Sequence, residues 1–538
     1  MKNLKSKRIR KVFALLMVML LALPSTALFS FAADDVNLTG ATYFVFSDSG
    51  ISVSEGSYTG YKIKGTALTL NSSGVYVVSG DCANGSIVIK KNVTDVTLVL
   101  NGLTLTAAAT APITCNKGSG VTIVAAAGTV NNLADDKFNN DDVYTDETLY
   151  PDIENAVIKC KDGSNVTIGG TGTINVNAYG KNGVKGGADL YEEDADGNYT
   201  DVLLSTASLT VKDVTLNVSI KHSYKDPEDA SSYDGDAIKA EKELNILSGK
   251  ITVSANDDGI KCDYTLNIGE NGTTGPTIKV TKATEGIEGS VVNVYSGSVY
   301  VTATDDGINA ANGDIAERST QFSYNQYGGY VYINVTNGDG LDSNGSATFA
   351  GGVAEIYSPS QGDGDPIDTE YGAVFSGGTV LGVGNNMMQQ SYNGTYVTFG
   401  SASGGMGGGF GGRFAPGMGG SGSVVSAGST ISIKDSSGNV IYTAQSTAPR
   451  AAGYVVFASP SLSSGGTYTL AAGGTSSNGS ATTGTGSQGG FGGQPGGGNW
   501  GGNGGNDNSV SYGSSFSFLS ELIQKIVDFF TRLFSFGA

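Results

Sequence analysis

The chain is 538 residues long, with 82 glycines, 11 prolines, one tryptophan, a single histidine (His222) and a formal charge of −19. That acidity excludes nucleic acid as a partner, because phosphate binding rests on a surplus of Lys and Arg. One histidine thins out the usual catalytic vocabulary, whereas abundant Gly, Thr, Val, Ser and Asn suit many short strands joined by tight turns.

Residues 1–33 read as a signal peptide: six basic residues within Met1 to Lys11, an apolar run from Val12 to Leu23, and small residues at Ser30 and Ala32. The run is too short for a convincing membrane span. Export is therefore expected, and loss of six cations leaves a mature charge of −25 in a medium containing millimolar divalent cations.

Residues 34–400 alternate apolar and polar side chains over short runs, among them Val96-Thr97-Leu98-Val99-Leu100, Val166-Thr167-Ile168 and Val331-Tyr332-Ile333-Asn334-Val335. A period of two means strands with one buried face. Cys115, Cys160 and Cys262 each follow an isoleucine by two residues, which puts them on the inward face as buried thiols rather than disulfides.

An internal repeat organises this region. Its form is acid, small, aliphatic, polar, small: Asp236-Ala237-Ile238-Lys239-Ala240, Asp258-Gly259-Ile260-Lys261-Cys262, Glu285-Gly286-Ile287-Glu288-Gly289, Asp306-Gly307-Ile308-Asn309-Ala310, Asp339-Gly340-Leu341-Asp342-Ser343 and Asp365-Pro366-Ile367-Asp368-Thr369. Weaker copies surround Val184, Ile158 and Ile113. If the gaps of 54 and 45 residues among those copies each hide two turns, the period is about 25 residues. The expected fold is all-β, a right-handed parallel β-helix whose extra residues leave as loops at Tyr191 to Tyr199, Ser223 to Tyr233 and Asp314 to Gly329. A β-sandwich is the competing architecture.

In register, successive turns lie about 4.8 Å apart. The repeat then stacks Asp236, Asp258, Glu285, Asp306, Asp339 and Asp365 in one column, with Asp257 and Asp305 beside it and Glu288, Asp342 and Asp368 on the neighbouring outward column. Two carboxylates at that spacing repel by about 3 kcal/mol at an effective dielectric near 20. Hard oxygen ligands this close suit Ca²⁺, so the eight acids of the first column and its flank are the candidate metal ligands. The bland alternative is a solvated face partly paired with Lys239 and Lys261.

Tyr324, Tyr327, Glu288 and Asp342 are the candidate glycan contacts. Tyr324 and Tyr327 belong to an aromatic cluster with Phe322, Tyr330 and Tyr332, for which sugar stacking and strand packing explain the sequence equally well.

These acid-led phrases resemble those of a family of secreted bacterial carbohydrate-binding domains, as do Val77-Val78-Ser79-Gly80 to Leu100-Asn101-Gly102-Leu103 and Ala373-Val374-Phe375-Ser376-Gly377-Gly378-Thr379-Val380. The likeness covers about residues 36–475. It implies a pectate-lyase-like parallel β-helix that carries calcium and binds polygalacturonate and cellulose-type glycans, with ligands carried over only to the matching acids. The expected function is extracellular, calcium-dependent binding of an acidic plant cell-wall polysaccharide (pectin) at the cell surface. Two other readings stand beside it, a structural adhesin and a polyuronate lyase. A lyase would need a Lys or Arg base of lowered pKa, for which Lys239, Lys261 and Arg318 are the candidates.

The C-terminal third divides further. Residues 401–423 form a Gly-rich loop, 424–474 a small β segment capping the helix, 475–513 a flexible Gly/Ser/Asn linker, and 514–538 an amphipathic helix suited to a membrane surface or protein partner. A monomer is expected.

Overall fold

The computed structural model describes residues 36–485, apart from 55, 189–190, 194–198, 226–233, 313–320, 361–363, 388–389, 391 and 401–422. The regions read as signal peptide and terminal helix, with most of the Gly-rich loop and linker, lie outside the described residues.

Among the described residues every regular element is a strand. Thirty-four of them belong to one sheet assembly in which parallel pairing dominates. Three ladders run through it, and the chain visits them in rotation. The first joins Ile113–Cys115, Ala156–Cys160, Asn182–Gly186, Ile238–Ala240 and the first halves of Ile260–Ile268 and Ile287–Val294, then Ile308–Ala310 and Leu341–Ser343. The second passes through Gly120–Ala125, Asn165–Gly169, Ser208–Val211 and Glu243–Ile246 to Ser323–Gln326 and Ser346–Phe349. The third runs from Val130–Ala134 through Thr173–Ala178, Thr215–Ile220, Lys250–Ser254, Thr277–Lys282, Ser298–Ala303 and Tyr330–Val335 to Val353–Tyr357 and Thr379–Gly384.

Pairing in register makes each inward position a column. Ile113, Ile158, Val184, Ile238, Ile260, Ile287, Ile308 and Leu341 lie over one another, all fully buried, and a bridge adds Ile367. Each such aliphatic contributes about 1.5–3 kcal/mol on leaving water. The four cysteines are free thiols in the same interior, with Cys115 directly paired to Cys160. Outward columns use hydrogen bonds instead: the side-chain amides of Asn325, Asn293 and Asn267 each donate to the asparagine one rung below, ending on Asn245.

Three expectations change. Ile113 pairs directly with Ile158, and Val184 with Ile238, so the gaps of 45 and 54 residues are single circuits. The 254 residues from Ile113 to Ile367 thus make eight circuits averaging about 32 residues, not about 25, because the excess leaves as the 135–155 loop and a hairpin of Tyr191–Glu193 with Tyr199–Leu203. Ser323–Gln326, within the span read as a loop, is a ladder strand, since its alternation buries Phe322 and Tyr324. Thr475–Ser480 and Thr482–Thr485 are strands inside the span read as linker.

The far end of the ladders turns antiparallel. Tyr454–Ala458 pairs with both Thr379–Gly384 and Tyr392–Gly400. A four-stranded antiparallel sheet of Val440–Thr447, Thr430–Lys434, Thr467–Ala472 and Thr475–Ser480 shares a core with Tyr357, Leu381 and Phe399. Glu355, fully buried, pins that cap to the third ladder. Its Oε1 accepts from Tyr442 Oη at 2.7 Å and the Gln445 amide at 2.6 Å, and its Oε2 from Tyr330 Oη at 2.9 Å and the Ser446 amide at 3.1 Å.

Candidate functional site

The acid-led phrases sit where the third ladder hands the chain to the first. Backbone bonds tie each phrase to the next: the amides of Ala237, Gly259, Gly286, Gly307 and Gly340 donate to the carbonyls of Asp258, Glu285, Asp306, Asp339 and Asp365. Asp236, Asp258, Glu285, Asp306, Asp339 and Asp365 therefore form one column, as the repeat predicts. A second column, three residues on, reads Lys159, Lys185, Lys239, Lys261, Glu288, Asn309, Asp342.

Part of the acid column performs structural work. The Asp236 amide donates to Asn182 Oδ1 at 3.0 Å, Asp258 to Asp236 Oδ1 at 3.3 Å, Asp339 to Asp306 Oδ1 and Asp365 to Asp339 Oδ1 at 2.6 Å each, and Met387 to Asp365 Oδ1 at 2.7 Å. One carboxylate oxygen thus holds the next rung. Asn182 serves the same purpose without charge, so the charge itself calls for another explanation.

Carboxylate oxygens converge in three places: Asp236 with Asp257 and Asp258, Asp258 with Glu285 and Glu288, and Asp339 with Asp342 and Asp368, each set lying within 4.8 Å of one another. Oxygens bound to one Ca²⁺ at about 2.4 Å can be separated by no more than about 4.8 Å, so each set fits a single calcium ion in both spacing and donor type. Of the eight acids assigned to metal from the sequence, Asp236, Asp257, Asp258, Glu285 and Asp339 fall in these sets. Asp305, Asp306 and Asp365 do not, and Asp305 is exposed. The Asp305 and Asp306 carboxylates instead crowd Gly338, where an added Cβ would meet their oxygens at 2.4 and 2.3 Å.

Lysine already occupies part of this column. Lys261 Nζ lies 3.0 Å from Asp258 Oδ2 and 2.6 Å from Glu288 Oε2, inside the middle set. Burial alone would lower the Lys261 amine, but Asp258, Glu288, Asp236 and Asp263 outweigh it and hold the ammonium well above its ordinary range. Glu288, read as a glycan contact, is thus the buried partner of an ion pair. The acids around it exceed the one cation: burial, then Asp258, pushes Asp257 and Glu285 each up to about 8. At the third set, burial and then Asp368, Asp306 and Asp342 drive Asp339 up to about 9. Asp342, the other acid read as a glycan contact, belongs to this set.

Of the three candidate bases, Lys239 stacks between Lys185 and Lys261. Lys261 is locked as ammonium, and Arg318 lies outside the described residues. Lys159 is pushed down to about 8 by burial and by Lys185, but it stands three rungs from Lys261, about 14 Å at the ladder spacing. The lysine column from Lys159 escaped the sequence reading because its early copies lack the leading acid.

The tyrosines separate. Tyr324 is fully buried, with Phe349 at 5.5 Å and its hydroxyl on Gln326, so it contacts the core and no glycan. Tyr327 is exposed and stacks on Tyr295, ring centroids 5.1 Å apart at 10°. His222 meets the Lys181 carbonyl at 2.9 Å and stacks on Tyr224, a loop-anchoring role.

Residues 64–201 match a family described as carbohydrate-binding domain-containing protein. No curated protein matches the sequence. A solved structure described as that of the polysaccharide lyase-like protein from C. thermocellum, as a gadolinium derivative, is 20% identical over 62% of this chain and 96% of that one, with a TM-score of 0.33.

Proposed function

We propose that this protein binds an acidic polysaccharide of the polygalacturonate type outside the cell, through calcium held by its acid columns, on a right-handed parallel β-helix. The match of residues 64–201 to a carbohydrate-binding family supports the ligand class. The observation that carries the metal is the convergence of Asp339, Asp342 and Asp368 around one point, with Asp339 driven upward by burial and by neighbouring carboxylates.

These acids would hold the ion through hard oxygen, and the ion when bound supplies positive charge for a uronate carboxylate that a chain of −19 would otherwise repel. The chain's own part is positioning. Strands fixed in register hold Leu341 and its neighbours, so Asp339 and Asp342 need little ordering on binding. The exported location, cellulose as a second ligand, and a membrane or protein partner for the terminal helix belong to the same reading and rest on the sequence.

A glycan array probed in calcium and again in EDTA tests it. Binding to polygalacturonate should be stronger in calcium than in EDTA, and that calcium-dependent gain should be lost in Asp342→Asn with Asp368→Asn. Wild-type binding equally strong in calcium and in EDTA would overturn the metal-bridged reading.

A further inference from the structure

Away from the acid columns, the outer face of the third ladder has the opposite character. Over four successive strands its outward positions are Lys250, Thr252 and Ser254; Thr277, Lys279 and Thr281; Ser298, Tyr300 and Thr302; then Tyr330, Tyr332 and Asn334. No carboxylate occurs among them, although the chain carries 50.

Lys279, Tyr300 and Tyr332 are vertical neighbours. Tyr300 is 37% exposed, its ring 5.7 Å from Tyr330 and 6.4 Å from Tyr332, with Lys279 Nζ 5.9 Å from its centroid. Arg450, from the cap, reaches the other side. Its Nη2 donates to Asn334 Oδ1 at 2.7 Å, while Nη1 is buried without a hydrogen-bond partner. One rung beyond Tyr332 stands Glu355, whose oxygens accept from Tyr330 on this face and from Tyr442, Gln445 and Ser446 of the cap. The platform therefore ends where the cap begins, with one cation at each end.

We infer that the face around Tyr300 and Tyr332, flanked by Lys279 and Arg450, is a second glycan site that takes a carboxylate-bearing sugar without metal. Tyrosine rings present an apolar surface with a polar edge, suited to the faces of a pyranose. A guanidinium and an ammonium at the two ends supply charge-assisted bonds to a carboxylate. The inference rests on the ligand being a glycan, and on neither the acid columns nor calcium.

The full chain is stripped of metal with EDTA and its residual affinity for polygalacturonate measured by titration calorimetry, beside carboxyl-reduced polygalacturonate as the uncharged control. Wild type should bind the charged polymer and bind the reduced one at least ~10-fold more weakly, with affinity falling as salt rises. Tyr300→Ala should weaken the residual binding ~10-fold or more and Tyr300→Phe should retain it, with circular dichroism unchanged in both. Lys279→Gln with Arg450→Gln should remove the preference for the charged polymer. Absence of chelator-resistant binding in wild type, or Tyr300→Ala binding as wild type does, would overturn the inference. Asp342→Asn with Asp368→Asn should leave this residual binding intact, so failure here and failure of the calcium site read out separately.

Discussion

The backbone amide of Asp339 donates to Asp306 Oδ1 at 2.6 Å, and Asp339 Oδ1 in turn accepts from the amide of Asp365 at 2.6 Å. A carboxylate in this column therefore has two separable properties, an acceptor that joins rungs and a charge that does not. Asparagine retains the first and lacks the second, as Asn182 already does beneath Asp236.

Asp339→Asn should accordingly stay folded in EDTA yet lose most of the increase in thermal midpoint that calcium gives wild type. Asp339→Ala leaves the buried Asp365 amide without its acceptor and should cost about 1–3 kcal/mol in chemical denaturation. An unaltered calcium shift in the Asn variant would dismiss this set as a metal site.

Lys261 is the cation already built into the middle set. Removing one partner of a buried pair leaves uncompensated charge, so Lys261→Ala should lose about 3 kcal/mol in EDTA. Calcium should recover much of that loss, since Asp258, Glu285 and Glu288 then form a set without its ammonium. Calcium titration followed by thermal melting checks this, and a variant equally unstable with and without calcium would count against it. The same experiment bears on the lyase reading, for which Lys261 holds its proton too tightly to act as the base.

Asp135 governs a pH response away from these sets. Its Oδ1 accepts from the amides of Tyr179 at 2.6 Å and Gly180 at 3.1 Å, and its Oδ2 from Asn139 at 2.9 Å, yet burial outweighs these bonds and raises it to about 7. A carboxyl group raised on folding stabilises the fold fully below its unfolded value near 4, and that contribution is lost as pH climbs through about 7. The 135–155 loop should therefore exchange its amide hydrogens faster at pH 8 than at pH 5, after correction for intrinsic rates. In Asp135→Asn the difference should shrink, and an unchanged pH profile would refute the assignment.

Tyr324→Ala should lose about 3–5 kcal/mol of stability, as expected for a large buried side chain, with glycan affinity per folded molecule unchanged. Loss of affinity at intact stability would return Tyr324 to the candidate glycan contacts.

Much of the first ladder was legible because its signal is local. An aliphatic residue flanked by small ones at Ile238, Ile260, Ile287 and Ile308 sets both the inward face and the register, and the pairings follow it. Circuit length was not legible, since nothing in the residues between Val184 and Ile238 says whether they add a circuit or leave as a hairpin. Tyr324 misled for a related reason: Ser323-Tyr324-Asn325-Gln326 alternates for only four residues, too few to separate strand from loop without the Val292 beneath it. Lys279, Tyr300 and Tyr332 lie 21 and 32 residues apart in sequence, and only the pairing makes them neighbours. Arg450 comes from the connection between Val440–Thr447 and Tyr454–Ala458, and Glu355 gave no sign of its four donors.

The strands at the two ends bear on assembly. A pile of parallel strands has no intrinsic reason to stop growing, and an open terminal edge invites another copy to add to it. Here Thr42–Ser47 folds against Gly50–Ser54 and Tyr61–Lys64 against Ala67–Leu70 at one end, while Tyr454–Ala458 reverses direction across the other. Each reversal offers an incoming parallel strand the opposite polarity, so continuing the parallel pile from one copy into the next would require an antiparallel junction.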